Sequence, residues 1–219
     1  MDDDEVRRLL KMVELSAARD LVTGVAGHLD SLAAQVWAFG LAEGARRALA
    51  IVAQMGAELT VGAASLYEAE HWYAGAALVR QLIEVEYLLF LFAMDSEEPE
   101  RWLAASADTA RGMFKPAAMR KRSGDRFRAS EYDSHCEMGG HPRLRGHVLL
   151  REHCDPSVPS TEFDPAVLWV DLAQHVERIW ANYVGAVGRH SHSNVYPDRF
   201  AEVTDLFAKW RAGGGPARI

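Results

Sequence analysis

Two groups of residues in this chain have the types and spacing to do chemistry. Arg80 and Glu84 lie one helical turn apart within residues 65–94, SLYEAEHWYAGAALVRQLIEVEYLLFLFAM, a stretch otherwise apolar nearly all the way round a helix. Charges set in such a helix need partners, because a buried unpaired charge is costly. Two roles fit the pair. It can be an ion pair that fixes how neighbouring helices dock, or the floor of a polar pocket in which the Arg80 guanidinium grips a carboxylate or phosphate. The second group is residues 128–143, RASEYDSHCEMGGHPR. Arg128, Glu131 or Tyr132, and His135 recur there at steps of three or four, on one helix face. Cys136, Glu137, His141 and Arg143 follow at once. No other stretch gathers so many polar functional groups. It reads either as a binding site or as a polar helix end whose histidines satisfy backbone carbonyls.

Metal chemistry has weaker support. Glu68-x-x-His71 has the spacing used in di-iron bundles, which need a second copy on another helix and two further glutamates, and no second copy occurs. Cys136, His141, His153 and Cys154 could furnish a tetrahedral zinc site, in a spacing that matches no standard zinc module. His175 lies on the apolar face of a helix with Asp171 one turn earlier, which reads as a core histidine satisfied by a neighbour. Gly-rich phosphate loops, nucleophile elbows and dinucleotide fingerprints are missing from the sequence. No cofactor is expected beyond the zinc alternative.

The elements that must position these groups read as helices. Half of the 219 residues (49%) are hydrophobic, enough for a substantial core, and prolines number only eight. Helical spacing runs from Val6 to Val36, either as one helix or as two broken near Gly24 and Gly27, and again from Leu41 to about Thr60. The 65–94 stretch reads as a central helix, packed on by its neighbours because it is apolar on all sides. Shorter helical segments follow at 97–106 and 127–138. Residues 139–163 lose the periodicity and read as a long loop, with a turn of helix near His147. Asp164-Pro165 has the cap-then-proline signature of a helix start. Pro197 opens a last helix carrying Phe200, Val203, Phe207 and Trp210. The fold class expected is all-α, a single bundle of about six to eight helices over residues 1–212, with 213–219 a frayed tail.

The net charge of −7 argues against broad electrostatic capture of nucleic acid or anionic membrane, although residues 115–128 gather several cations locally. Two cysteines are too few for a disulfide framework and suit a reducing compartment. An acidic N-terminus without an apolar signal core, and ionisable groups within the longest apolar run, lead us to expect a cytoplasmic protein with no membrane association.

The Arg80-x-x-x-Glu84 helix, Trp102 and the later Tyr132…His135-Cys136-Glu137…His141-Pro142 segment resemble a family of uncharacterised bacterial helical proteins. That family is similar in arrangement to HEPN (higher eukaryote and prokaryote nucleotide-binding) bundles. The resemblance covers residues 65–142 and the helix after Asp164. HEPN ribonucleases carry an Arg followed by a His after four to six residues, and Arg128-x6-His135 matches that spacing. The resemblance implies Arg128 and His135 as catalytic residues, the first steadying phosphate charge and the second acting on the 2′-hydroxyl or leaving group. Arg80, Glu84, Tyr132, Glu137, His141 and Arg143 would shape the binding site around them. It also implies a homodimer, RNA or another phosphate-bearing ligand, and a role in defence or stress. Ala129 follows Arg128 where active members carry a polar residue. Two alternatives come from other classes: a non-catalytic interaction module that dimerises through apolar helix faces, and a zinc-stabilised helical protein.

Overall fold

A computed structural model describes residues 3–38, 43–124, 126–150, 164–190 and 197–212. They form an all-α fold with nine α-helices: α1 (Asp3–Ala38), α2 (Gly44–Glu68), α3 (Trp72–Met94), α4 (Glu98–Ala104), α5 (Ala107–Met113), α6 (Pro116–Arg122), α7 (Ala129–His135), α8 (Ala166–His190) and α9 (Pro197–Ala212). A π-helical turn, Cys136–Gly140, extends α7, and a 3-10 turn spans Leu144–Leu149.

Four long helices make the core. In α1 the buried residues Ala18, Leu21, Val22, Val25, Leu29 and Leu32 recur at three- and four-residue steps, and this stripe faces α2 and α8. The helix runs unbroken through Gly24 and Gly27. α2 buries Leu49, Val52, Ala53, Ala57 and Tyr67 against α1 and α3. By length and composition it could cross a membrane, but it packs here against α1, α3 and α8 as a core helix. α8 buries Leu168, Trp169, Leu172, Val176, Ile179 and Tyr183 along one stripe. Its start follows the sequence signal, with the Asp164 carboxylate accepting a hydrogen bond from the Ala166 amide at 3.0 Å. α9 lies on α1 and buries Val203, Phe207 and Trp210.

The central helix is shorter than the sequence indicated. Residues 65–68 belong to α2, which continues straight through Gly62, Ala63 and Ala64, and the chain turns at residues 69–71. Glu70 takes a left-handed conformation there (φ 60°), and the His71 amide returns to the Leu66 carbonyl at 2.7 Å. The corner is tight because the Tyr67 ring folds across the start of α3. A Cβ at Gly75 would stand 2.3 Å from that ring, so only glycine fits. The number of helices also exceeds the expected six to eight, because the crossover between α3 and α8 holds four helices of seven residues each.

Consecutive long helices α1, α2 and α3 alternate in direction. α8 runs parallel to α3: His175 pairs with Glu86, and the Arg189 and His190 side chains donate to the Ala93 and Phe92 carbonyls at the shared C-terminal end. A parallel pair needs a crossover, and that crossover lays α4 on α2 and α6 and α7 on α3.

Candidate functional site

α7 is held to α3 by a three-residue polar lock. The Arg80 guanidinium donates to the Tyr132 hydroxyl at 2.6 Å, and that hydroxyl donates to Glu84 Oε1 at 2.9 Å. Arg80 and Glu84 also pair directly at 2.9 Å. Burial and the Glu84 carboxylate push the Tyr132 phenol well above its ordinary range, so it stays a neutral donor. Burial alone would lower the Arg80 guanidinium; Glu84, Tyr132 and Cys136 outweigh it and raise the group further. Tyr132 also touches the Tyr87 ring, which packs on Phe127. The sequence thus brings Arg80, Glu84 and Tyr132 together, 48 and 52 residues apart in the pairings that the hydroxyl makes.

The π-helical turn fixes how closely this segment approaches. Its wide closure, His141 amide to Cys136 carbonyl at 2.9 Å, brings Gly139 and Gly140 flat against α3. A Cβ at Gly139 would meet the backbone of Ala76 and Ala77 at 2.7–2.8 Å, and one at Gly140 would meet Arg80 Cδ at 2.2 Å. Tyr73 donates to the His141 carbonyl at 3.1 Å. Single π turns inside α-helical segments are frequent at functional sites.

The other face of α7 meets α8. His175, fully buried, donates from Nδ1 to Glu86 Oε2 at 2.8 Å, and its Nε2 lies 3.3 Å from Nε2 of His135. Asp171 Oδ1 is 3.6 Å from His135 Nε2 and 3.7 Å from His175 Nε2. Glu131 on α7 binds Arg178 on α8 at 2.5 Å, and Arg178 lies 3.9 Å from Glu86. Burial depresses His135, outweighing the nearby carboxylates. Burial also works against charge on His175, but its bond to Glu86 and the Asp171 charge prevail and raise it. Its Nδ1–H thus faces Glu86, and its Nε2 faces the ring nitrogen of His135. Burial would raise Glu131, yet the Arg178 bond holds it below the usual carboxylate range.

The residues singled out from sequence thus divide. Arg80, Glu84 and Tyr132 meet in the lock, and His135 joins the α8 cluster. Arg128 is exposed at the N-cap of α7, two turns before His135. The side chains of His141 and Arg143 point outward, and Glu137 pairs with Arg145 at 2.9 Å on the surface. These four do not converge with the lock. His153 and Cys154 of the expected zinc set lie outside the described residues, and Cys136 is a half-buried free thiol. Glu68 pairs with Arg19 at 3.4 Å. Among the described residues, His135, Asp171 and His175 are the group whose donor atoms come close enough to share an ion. Glu86 and Arg178 were not read as site residues in the sequence, and Glu131 was read there only as an alternative to Tyr132. The signal for Glu86 was its place in the same apolar helix as Arg80, where the partner argument applies equally.

No family model, curated protein or solved structure matches the chain.

Proposed function

We propose that this chain is a HEPN-like helical protein that engages the phosphate backbone of RNA along α6 and the start of α7, beside the α7–α8 cluster. The observation that carries the reading is a cationic ridge on an otherwise acidic chain. Residues 115–128 hold six cations, Lys115, Arg120, Lys121, Arg122, Arg126 and Arg128, against one carboxylate, Asp125. Arg122 is committed to the buried Glu98. Arg120 lies over the Tyr132 ring at 5.7 Å and Arg126 over the Phe90 ring at 5.0 Å. A guanidinium stacked on a ring is held flat and still presents edge donors to phosphate oxygens. Lys115, Lys121 and Arg128 are exposed. Arg128 and His135 are about 10 Å apart along the axis of α7, at 1.5 Å per residue. That span suits a strand whose phosphates lie on the ridge while one nucleotide reaches the cluster.

Fluorescence anisotropy with a labelled single-stranded RNA, titrated at several salt concentrations, tests the reading. Each phosphate contact contributes about −0.7 to the slope of log affinity against log salt. The double reversal Arg126→Glu with Arg128→Glu should flatten that slope by about 1.4 units and weaken binding at least ~10-fold. No binding by the unaltered chain at low salt, or a reversal that leaves affinity and slope alone, would sink the proposal.

A further inference from the structure

We propose that His135, His175 and Asp171 form a binding site for one divalent transition-metal ion, with zinc the best match. This inference is independent of the RNA reading. The three donor atoms make a triangle with sides of 3.3, 3.6 and 3.7 Å. An ion standing about 0.5 Å off its plane, on the side of a fourth ligand, lies about 2.1 Å from all three, within the range of zinc–imidazole and zinc–carboxylate bonds. Two imidazoles and a carboxylate are a donor set suited to zinc and its first-row neighbours, and poor for magnesium or calcium, which prefer oxygen alone.

The surroundings match a metal centre in two further respects. Glu86 holds the far nitrogen of His175 at 2.8 Å and is itself fully buried. A carboxylate behind a ligating histidine fixes the ring and raises its basicity, as in carboxylate–histidine–zinc arrangements. The second respect is charge. Glu86, Glu131 and Asp171 supply three carboxylates around the two histidines, and Arg178 supplies one guanidinium. With both histidines neutral, as ligating imidazoles are, the surplus of two negative charges is what a dication neutralises, and it disfavours an anion at the same point. Three protein ligands leave a fourth tetrahedral position open. His135 and Asp171 keep 15% and 30% of their side-chain surface exposed while His175 keeps 1%, so the open position falls on the solvent side and can take water or a ligand oxygen.

The experiment uses the full chain, stripped with a chelator, dialysed and titrated with zinc chloride by calorimetry, with elemental analysis of the reloaded protein. One zinc per chain is expected. Saturating zinc, at about 100 times its dissociation constant, should raise the melting temperature by roughly 5–10 °C. Both Asp171→Ala and His135→Ala should lose at least ~10-fold in zinc affinity and most of that rise, while their zinc-free melting points stay close to that of the unaltered chain. Cys136→Ser with His141→Ala should bind like the unaltered chain. If Asp171→Ala fails to fold, His135→Gln replaces it, with the same expected loss. Substoichiometric zinc in the unaltered chain overturns the assignment. So does undiminished affinity in the Asp171 and His135 variants, or loss of zinc in the Cys136/His141 variant instead.

Discussion

Replacing Tyr132 with phenylalanine deletes one oxygen and keeps the ring. That oxygen accepts from Arg80 at 2.6 Å and donates to Glu84 at 2.9 Å. Hydrogen bonds to charged groups contribute about 1.5–3 kcal/mol each in general. Two features reduce the figure here. Arg80 and Glu84 keep 23% and 32% of their side-chain surface exposed, and they remain paired at 2.9 Å without the tyrosine. Water can therefore take over part of the lost bonding, and the expected total cost is about 1–2 kcal/mol. For a chain of this length that is roughly 2–8 °C in melting temperature. Glu84→Gln removes the charge that polarises the same hydroxyl and keeps the side-chain shape. The two changes act on one interaction, so the double mutant should cost less than the sum of the singles by about 0.5–1.5 kcal/mol. Urea unfolding followed by circular dichroism measures all four proteins, with an unchanged slope against urea as the check on two-state behaviour. Additivity to within about 0.3 kcal/mol would refute the lock.

Two other substitutions test the packing around the site. Gly139→Ala drives a Cβ into the backbone of α3 at 2.7–2.8 Å, where no flexible side chain can yield. It should destabilise by about 1–3 kcal/mol and speed hydrogen exchange in residues 129–141; protection unchanged in that segment would count against the close approach. Glu98 is buried, and its carboxylate binds Arg122 and Arg101, tying α4 to α6. Glu98→Ala should cost about 2–4 kcal/mol by calorimetry, below the limit for a fully buried pair because both arginines keep contact with water.

The all-α class, the start of α8 at Asp164 and the start of α9 at Pro197 were legible because periodicity and capping are local properties. The corner at residues 69–71 was not. It contains neither glycine nor proline, and it is formed by Glu70 in a left-handed conformation and by the Tyr67 ring over Gly75. The lock was legible for a different reason. A charge in an apolar helix must find a partner, and residues 128–143 held the densest supply. That argument named Arg80 and Glu84 but passed over Glu86, two residues on and more deeply buried than either. Its partner, His175, is 89 residues away. Helical spacing says which residues share a face, but not which faces meet. His135 was read as an acid or base beside an arginine; its actual neighbours, Asp171 and His175, come from a helix that only the crossover brings alongside.

The parallel run of α3 and α8 has a consequence for the order of assembly. α1, α2 and α3 follow one another through short connections, so their mutual contacts close small loops and can form early on the nascent chain. α8 finds its place only after a crossover of some seventy residues. Every pairing between Glu86, His135 and His175 waits for that closure. The polar cluster is thus among the last parts of the native structure to exist, and a chain halted before residue 166 leaves Glu86 exposed in an open groove without its histidine. Assembly of the cluster is a property of the finished chain, and an ion that bound there would favour completed molecules over partly folded ones.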